Sequence, residues 1–183
     1  MLNVLAFCGD VLYNEMAMRY DVLIEKIKAH DLKLGVEVGV KRGENVAKVL
    51  IACPDFVFHA VDCWDPKFQY INWGKGAQVA NEKFFNRKLR HFPGRLFKHK
   101  GYSVPISAEF PDGHFDLIFI DGDHSYEGCK ADIDAWLPKL KIGGFMAGHD
   151  YGHERFPGVK KIVDELFPNA EIFGDMVWLI QKI

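Results

Sequence analysis

The stretch Phe115–Tyr126, FDLIFIDGDHSY, constrains the fold of this chain more than any other. Its first six residues are almost entirely apolar, which is typical of a strand covered on both faces in a mainly parallel sheet. The run ends abruptly at the tip Asp121–His124, and a helical pattern follows at once. Open α/β sheets bind ligands beyond the carboxyl ends of their strands. Three ionisable side chains of this tip therefore lie where chemistry is usually done.

The rest of the chain alternates strand patterns with helix patterns, which predicts an α/β fold with a doubly wound sheet. The predicted strands are Gly35–Gly39, Phe56–Val61, Arg95–Lys100, Phe115–Ile120, a fifth strand from Phe145, and the pair Ala170–Phe173 and Val177–Gln181. The last two strands, joined by Gly174-Asp175, are typical of an antiparallel pair. We expect Pro138 to end or kink the helix after the central strand, and Gly143-Gly144 to turn the chain into the fifth strand.

The N-terminal segment carries one amphipathic helical face, formed by Tyr13, Met16, Tyr20, Leu23 and Ile27. We interpret residues 1–33 as a cap that packs on the edge of a core formed by residues 34–183. A segment of this kind can also close over a substrate, but its residues do not demand that role. No repeat, linker or low-complexity segment interrupts the chain, so we expect a single domain over residues 1–183.

Composition excludes several classes of function. With 49% hydrophobic and 26% charged residues, the chain has the composition of an ordinary globular protein. A net charge of −2 gives no electrostatic case for nucleic acid as a partner. No apolar run approaches the roughly 20 residues of a membrane span, and no secretory signal opens the chain, so we expect a cytoplasmic location without a membrane partner. The four cysteines show no CxxC pattern, which favours buried reduced thiols over a metal site.

A glycine-rich turn follows the first strand, with the pattern Glu37-x-Gly39-x-x-x-Gly43. Glycines at the strand end and the helix start let a ligand approach the backbone closely, beside free amides of the helix N-terminus. On this interpretation Gly39→Val abolishes ligand binding in a protein that still folds. The pattern is not GxGxxG, and glycines also occur at tight turns for purely structural reasons.

Asp62 ends the second strand, about 20 residues after the glycine-rich turn. A carboxylate there suits a ribose diol, because it can accept hydrogen bonds from both hydroxyls. The alternative is a helix cap or a solvated turn acid. The loop that follows is rich in aromatic residues (Trp64, Phe68, Tyr70 and Trp73), which either stack on a ligand ring or pin the loop to the core. Trp64, next to the ribose acid, is the best stacking candidate.

From about Leu34 to Ile183 the chain resembles the class I S-adenosylmethionine-dependent methyltransferases. It is most similar to the small-molecule O-methyltransferases that carry the motif IDGDHSYEG, here Ile120–Gly128. VEVGVKRG at Val36–Gly43, LKIGG and GHDY support the resemblance. It implies a Rossmann-like, mainly parallel seven-stranded sheet with a C-terminal antiparallel hairpin, and S-adenosylmethionine as the cofactor.

The resemblance also implies roles for single residues. The matching positions that would hold the methionine part of the cofactor are Glu37, Gly39 and Gly43. Asp62 matches the acid that holds the ribose, Ser103 falls where adenine is contacted, and Asp121 lies beside the transferred methyl group. In the metal-dependent branch, Asp121 and Asp150 match ligands of a divalent cation such as Mg²⁺. Here the neighbours of Asp150 are His149 and Tyr151, which is unlike a pure oxygen-ligand site.

The residues themselves suggest how a methyl group would be transferred. Transfer to oxygen needs an in-line approach to the methyl group and removal of a hydroxyl proton. His124, three residues beyond Asp121, can act as that base near neutral pH. The alternative is a structural histidine that bonds to Asp121 or to the backbone. We interpret His149 as a supporting group rather than a ligand.

The resulting hypothesis is an enzyme that methylates a hydroxyl of a sugar, a phenol or a natural product. Two alternatives remain: a non-catalytic S-adenosylmethionine-binding domain and a nicotinamide-dependent oxidoreductase. The absence of GxGxxG and the terminal strand pair argue against the oxidoreductase. The short chain carries no large lid insertion, which favours an open site or one completed by a second copy of the chain, as in a homo-oligomer.

Overall fold

The computed structural model describes residues 17–67 and 76–183. Its strands are β1 (Leu34–Val38), β2 (Val57–Asp62), β3 (Leu96–Lys100), β4 (Phe115–Ile120), β5 (Leu140–Gly148), β6 (Glu171–Phe173) and β7 (Val177–Gln181). They form one sheet in the order β3-β2-β1-β4-β5-β7-β6. β1 to β5 pair in parallel, and β7 pairs antiparallel with β5 and β6. The predicted mainly parallel sheet with a terminal antiparallel hairpin is confirmed.

Helices cover both faces of this sheet. They are α1 (Arg19–Ala29), α2 (Glu44–Ala52), α3 (Ala77–Leu89), α4 (Ser103–Ser107), α5 (Tyr126–Trp136) and α6 (Pro157–Leu166). α1 to α3 share a buried apolar cluster with Leu117 and Phe119 of β4. α4 to α6 share a second cluster with Ile118 and Ile120 of the same strand. Because successive side chains of a strand point to opposite faces, β4 contributes to both cores and is covered on both sides, as predicted.

Most element bounds lie within one residue of the predicted ones, but β5 does not. It begins at Leu140 rather than after Gly143-Gly144, because the two glycines lie inside the strand. Gly143 has a φ of +80°, and the pairing of β4 with β5 shifts register between Phe115 and Leu117. An irregularity in the strand thus replaces the predicted turn.

Some of the other predictions are confirmed, and others concern residues that lie outside the described ranges. Pro138 ends α5 as expected, within the 3₁₀ turn Leu137–Lys139. α1 carries Tyr20, Leu23 and Ile27 of the predicted N-terminal face and packs on α2. Tyr13 and Met16 of that face, the loop aromatics Phe68, Tyr70 and Trp73, and Cys8 lie outside the described residues. The other three cysteines are free thiols. Within the described ranges, no helix has the length and apolar character needed to cross a membrane.

Gly39 lies where the tips of β1 and β4 meet. Its φ is +89°, and a Cβ at this position would lie 2.0 Å from the carbonyl oxygen of Asp121. The Asp121 amide donates a 2.8 Å hydrogen bond to the Val38 carbonyl oxygen, which holds the two tips together. The close approach of two protein backbones therefore requires a glycine here. This corrects the expectation that Gly39→Val leaves the fold intact.

Glu37, on β1, is only 2% exposed. Its Oε2 atom accepts a 2.9 Å hydrogen bond from Asn45 Nδ2 of α2. Burial, reinforced by the nearby charge of Asp121, raises the pKa of this carboxyl group to about 8. The folded protein therefore favours the neutral acid, whereas the unfolded chain ionises it near its ordinary pKa.

Gly39→Ala should lower the free energy of unfolding by about 2–5 kcal/mol, because backbone strain and a steric clash add together. Urea unfolding measures the loss. Gly113→Ala is the matched control, since Gly113 also has a positive φ (+62°) but a Cβ added there would have no atom within 4 Å. It should lose only about 1–2 kcal/mol, the cost of the left-handed backbone alone. Equal losses in the two variants would contradict the close-approach explanation.

Glu37→Gln should flatten the dependence of stability on pH. In the wild type the folded state binds more protons than the unfolded state between pH 4.5 and about 8, so stability falls as pH rises through this range. Glutamine cannot ionise, and its stability relative to the wild type should rise by on the order of 1–4 kcal/mol from pH 4.5 to 9. Urea titrations at several pH values measure this. Glu25→Gln, at an exposed position, is the control, and a parallel trend in both variants would contradict the assignment.

Candidate active site

The carboxyl ends of β1 to β5 open into one cleft of about 1420 Å³. Most of the predicted site residues line this cleft, and together they represent the ends of all these strands: Glu37, Gly39, Asp62, Ser103, Asp121, His124 and Asp150. Gly43 and Trp64 do not line it. The sheet order explains this convergence, since β1 and β4 are central neighbours with β2 and β5 on either side.

Asp62 fixes the glycine-rich turn. Its Oδ2 accepts a 2.8 Å hydrogen bond from the Lys41 amide, and its Oδ1 accepts one of 2.8 Å from the Trp64 amide. Burial raises the pKa of this carboxyl group, and the two amide hydrogen bonds oppose that rise. The side chain lines the cleft, so the capping alternative and the ribose role are compatible.

Trp64 is fully buried, which corrects its predicted role as a stacking platform. Its indole Nε1 donates a 2.8 Å hydrogen bond to the Lys41 carbonyl oxygen. The ring packs at 5.0 Å from the Phe85 ring, measured between centroids. An indole with no exposed face cannot stack on a ligand, and Trp64 instead supports the glycine-rich turn from behind.

Gly43 also serves packing between elements of the protein. It has a φ of +70° and immediately precedes α2. A Cβ here would lie 2.8 Å from the Phe85 ring of α3. The approach of α3 by itself therefore requires a glycine at this position.

Ser103 is held between two residues of α5. Its hydroxyl accepts a 2.8 Å hydrogen bond from the Trp136 indole and donates one to Asp132. Asp132 is 5% exposed and lines the cleft, and burial raises its pKa to about 6. Sequence reasoning missed Asp132, although an acidic residue beside the buried positions Cys129 and Ile133 of a helical stripe is a detectable signal.

Asp121, His124 and Asp150 form a compact group at the tips of β4 and β5. His124 Nε2 lies 3.2 Å from Asp121 Oδ1 and 2.8 Å from Asp150 Oδ2. One ligand atom from each residue lies within 4.8 Å of the others, a spacing that could hold a metal ion. The juxtaposition predicted for the two aspartates is therefore present, with the histidine between them.

The environment of His124 is strongly anionic. Burial would lower the pKa of the imidazole, but hydrogen bonds to Asp121 and Asp150 outweigh it and raise the pKa to about 9. In this arrangement the ring keeps its proton at neutral pH, which corrects the expected ionisation near pH 6–7. Phe156 stacks on the imidazole, with 4.4 Å between the ring centroids.

His149 lies behind this group. It is 6% exposed, and its Nδ1 is 3.1 Å from Asp150 Oδ1. Its Nε2 is 3.4 Å from Asp175 Oδ1, at ion-pair distance but without hydrogen-bond geometry. Burial would lower the pKa of His149, but the hydrogen bond to Asp150 and the negative charges of Asp121 and Asp150 together outweigh it and raise the pKa. These contacts support the interpretation of His149 as a residue that orients Asp150.

Two residues that the sequence analysis did not select complete the site. Arg19, at the start of α1, donates from Nη1 to Asp121 Oδ2 at 2.8 Å. It also donates from Nε to Asp175 Oδ2 at 3.0 Å, in the turn between β6 and β7. Arg19 and Asp175 are distant from Asp121 in sequence, and no local sequence pattern identifies either as a site residue. The cap segment thus lines the cleft with Met18, Arg19 and Tyr20, and Arg19 contacts Asp121 directly.

Comparison with known proteins agrees with this geometry. Residues 36–151 match a family described as a methyltransferase domain. An uncharacterized protein of Acanthamoeba polyphaga mimivirus is 34% identical over 67 residues, which are 34% of this chain and 30% of that protein. The chain spans a third or less of the length of the curated relatives it matches.

Solved structures share the fold at low sequence identity. A putative caffeoyl-CoA O-methyltransferase from Staphylococcus aureus is 16% identical with a TM-score of 0.64, covering 96% of this chain and 88% of that chain. A TDP-rhamnose 3'-O-methyltransferase of calicheamicin biosynthesis is 15% identical with a TM-score of 0.61, covering 98% and 88%. Since the family match covers more than half of the sequence, the chain belongs to the methyltransferase-domain family, which implies S-adenosylmethionine as the methyl donor.

Proposed function

We propose that this protein transfers a methyl group from S-adenosylmethionine to a hydroxyl oxygen of a small molecule. The observation that carries the proposal is the meeting of Asp121, His124 and Asp150 in the same cleft as the turn of Glu37 and Asp62. One end of the cleft thus offers groups for a nucleoside and an amino acid, and the other offers groups for an acceptor hydroxyl. Structural neighbours named as O-methyltransferases support the oxygen acceptor as an analogy of fold.

The residues at the β1–β2 end fit S-adenosylmethionine. Asn45 Oδ1 is buried and has no hydrogen-bond partner among the described residues, and Asn45 lines the cleft. A ligand ammonium group would satisfy this acceptor, with Glu37 beside it. Asp62 is the acceptor for the ribose hydroxyls. When bound, S-adenosylmethionine supplies an electrophilic methyl group on its sulfonium.

The residues at the β4–β5 end handle the acceptor. His124 Nε2 lies 3.2 Å from Asp121 and 2.8 Å from Asp150, and we assign proton acceptance to these three residues together rather than to His124 alone. Phe156 holds the imidazole plane by stacking. Asp121 and Asp150 would hold a divalent cation, which when bound would acidify an acceptor hydroxyl.

Asp62→Ala should weaken binding of S-adenosylhomocysteine by about 1.5–3 kcal/mol, the scale of a lost hydrogen bond to a charged group. Isothermal titration calorimetry measures the affinity. Asp55→Ala is the control, because Asp55 is an exposed acid that precedes β2 at the opposite end of the sheet. Unchanged affinity in a folded Asp62→Ala protein would rule out the ribose assignment.

Chelation should suppress methyl transfer, and added Mg²⁺ or Mn²⁺ should restore it in the wild type but not in Asp121→Asn or Asp150→Asn. Transfer of label from S-adenosylmethionine to hydroxylated acceptors measures the rate.

His124→Ala should lose roughly 10²–10⁴ in rate, the usual worth of proton transfer by a positioned group. Its S-adenosylhomocysteine affinity should stay within a few fold. Tight cofactor binding without turnover of any acceptor would favour the non-catalytic binding domain, and full activity in excess chelator would remove the cation from the proposal.

A further inference from the structure

Arg19 contacts the predicted metal-ligand group directly. Its guanidinium donates to Asp121 Oδ2 at 2.8 Å, and the two side chains are only 26% and 16% exposed. The other oxygen of the same carboxylate, Oδ1, lies 3.2 Å from His124 Nε2. Both oxygens of Asp121 are therefore engaged by nitrogen donors of the protein itself. Of the two donors, the guanidinium carries a permanent charge, because arginine does not deprotonate in proteins.

The guanidinium is held in place from its other side. Asp175 Oδ2 accepts a 3.0 Å hydrogen bond from Arg19 Nε and a 3.2 Å bond from the Arg19 amide. One carboxylate outside the metal-ligand group thus fixes both the backbone and the side chain at the start of α1. Such a clamp keeps the positive charge against Asp121 at little further entropic cost.

A divalent cation that binds Asp121 needs the negative charge that Arg19 neutralises. Two positive charges at one carboxylate repel each other, and in a partly buried site water screens this repulsion poorly. Binding of the cation therefore requires Arg19 to release Asp121, or costs the repulsion between the two. Either way, the affinity for the cation depends on Arg19.

We propose that Arg19 is an internal counter-ion of Asp121 that competes with a divalent cation for this carboxylate and sets the affinity of the site for metal. Arg19 is a positioning residue in this role, since it acts through Asp121. The inference rests on the proposed function only in its assignment of Asp121 as a metal ligand. It gives the cap segment a part in the site, because Arg19 lies at the start of α1 and contacts Asp121 directly.

Titration of the full chain with MnCl₂ in a calorimeter, without cofactor or acceptor, tests the proposal. The variants are Arg19→Met, which removes the charge, and Arg19→Lys, which keeps it. Arg90→Met is the matched control, because Arg90 is an exposed arginine outside the cleft. Thermal unfolding first establishes that each variant is folded. Arg19→Gln, which keeps a donor for Asp121 without the charge, replaces Arg19→Met if that variant does not fold.

Arg19→Met should bind Mn²⁺ about tenfold more tightly than the wild type, or better, since close charge pairs couple on this scale. Arg19→Lys and Arg90→Met should stay within about threefold of the wild type, and adding Asp121→Asn to Arg19→Met should abolish the gain. Equal affinities of the wild type and Arg19→Met, or an equal gain in Arg19→Lys, would overturn the proposal. Absence of Mn²⁺ binding in both the wild type and Arg19→Met would also overturn the proposal. S-adenosylhomocysteine affinity of the same proteins tests the proposed function separately.

Discussion

The hydrogen-bonded contact between the tips of β1 and β4 is the constraint on which the site depends. The Asp121 amide donates to the Val38 carbonyl oxygen, and Gly39 passes so close to the Asp121 carbonyl that no side chain fits between them. This contact brings the residue that ends β4 within reach of the turn that follows β1. If the tips moved apart, the two ends of the cleft would no longer share one space. A backbone contact, rather than a side-chain contact, therefore sets the distance across the site.

The charges of the cleft are arranged in opposite ways at its two ends. Near the glycine-rich turn, Glu37 is buried without an ion-pair partner among the described residues, and burial raises its pKa to about 8. At the β4–β5 end, the carboxylates of Asp121 and Asp150 are each paired with nitrogen donors. A neutral acid at one end and paired carboxylates at the other lower the cost of burying these three acidic groups. A cationic ligand is thus met by acceptors at one end and must compete with protein cations at the other.

The sequence predicted those features that depend on local pattern. An apolar run identified β4 as a central strand, and the residues directly after strands identified Asp62, Asp121 and Asp150 as lining one edge of the sheet. Packing at a distance could not be predicted in this way. Trp64 and Gly43 have the types expected at a binding turn, yet both are explained by Phe85 of α3, which lies at least 20 residues away in sequence. The type of a residue indicates what it can do, whereas its neighbours in space decide which of those things it does.

Arg19 and Asp175 are a second case that local sequence pattern could not predict. Both lie outside residues 36–151, the segment shared with the family. They come from opposite ends of the chain and meet only in the folded protein, where Arg19 bonds to both Asp175 and Asp121. The β1–β4 tip contact beside the glycine-rich turn is a backbone contact within the shared segment. At the β4–β5 end, Arg19 of a flanking segment contacts Asp121, so one substitution there changes the charge beside this carboxylate. The backbone geometry of the cleft and the charge at Asp121 therefore depend on different parts of the chain.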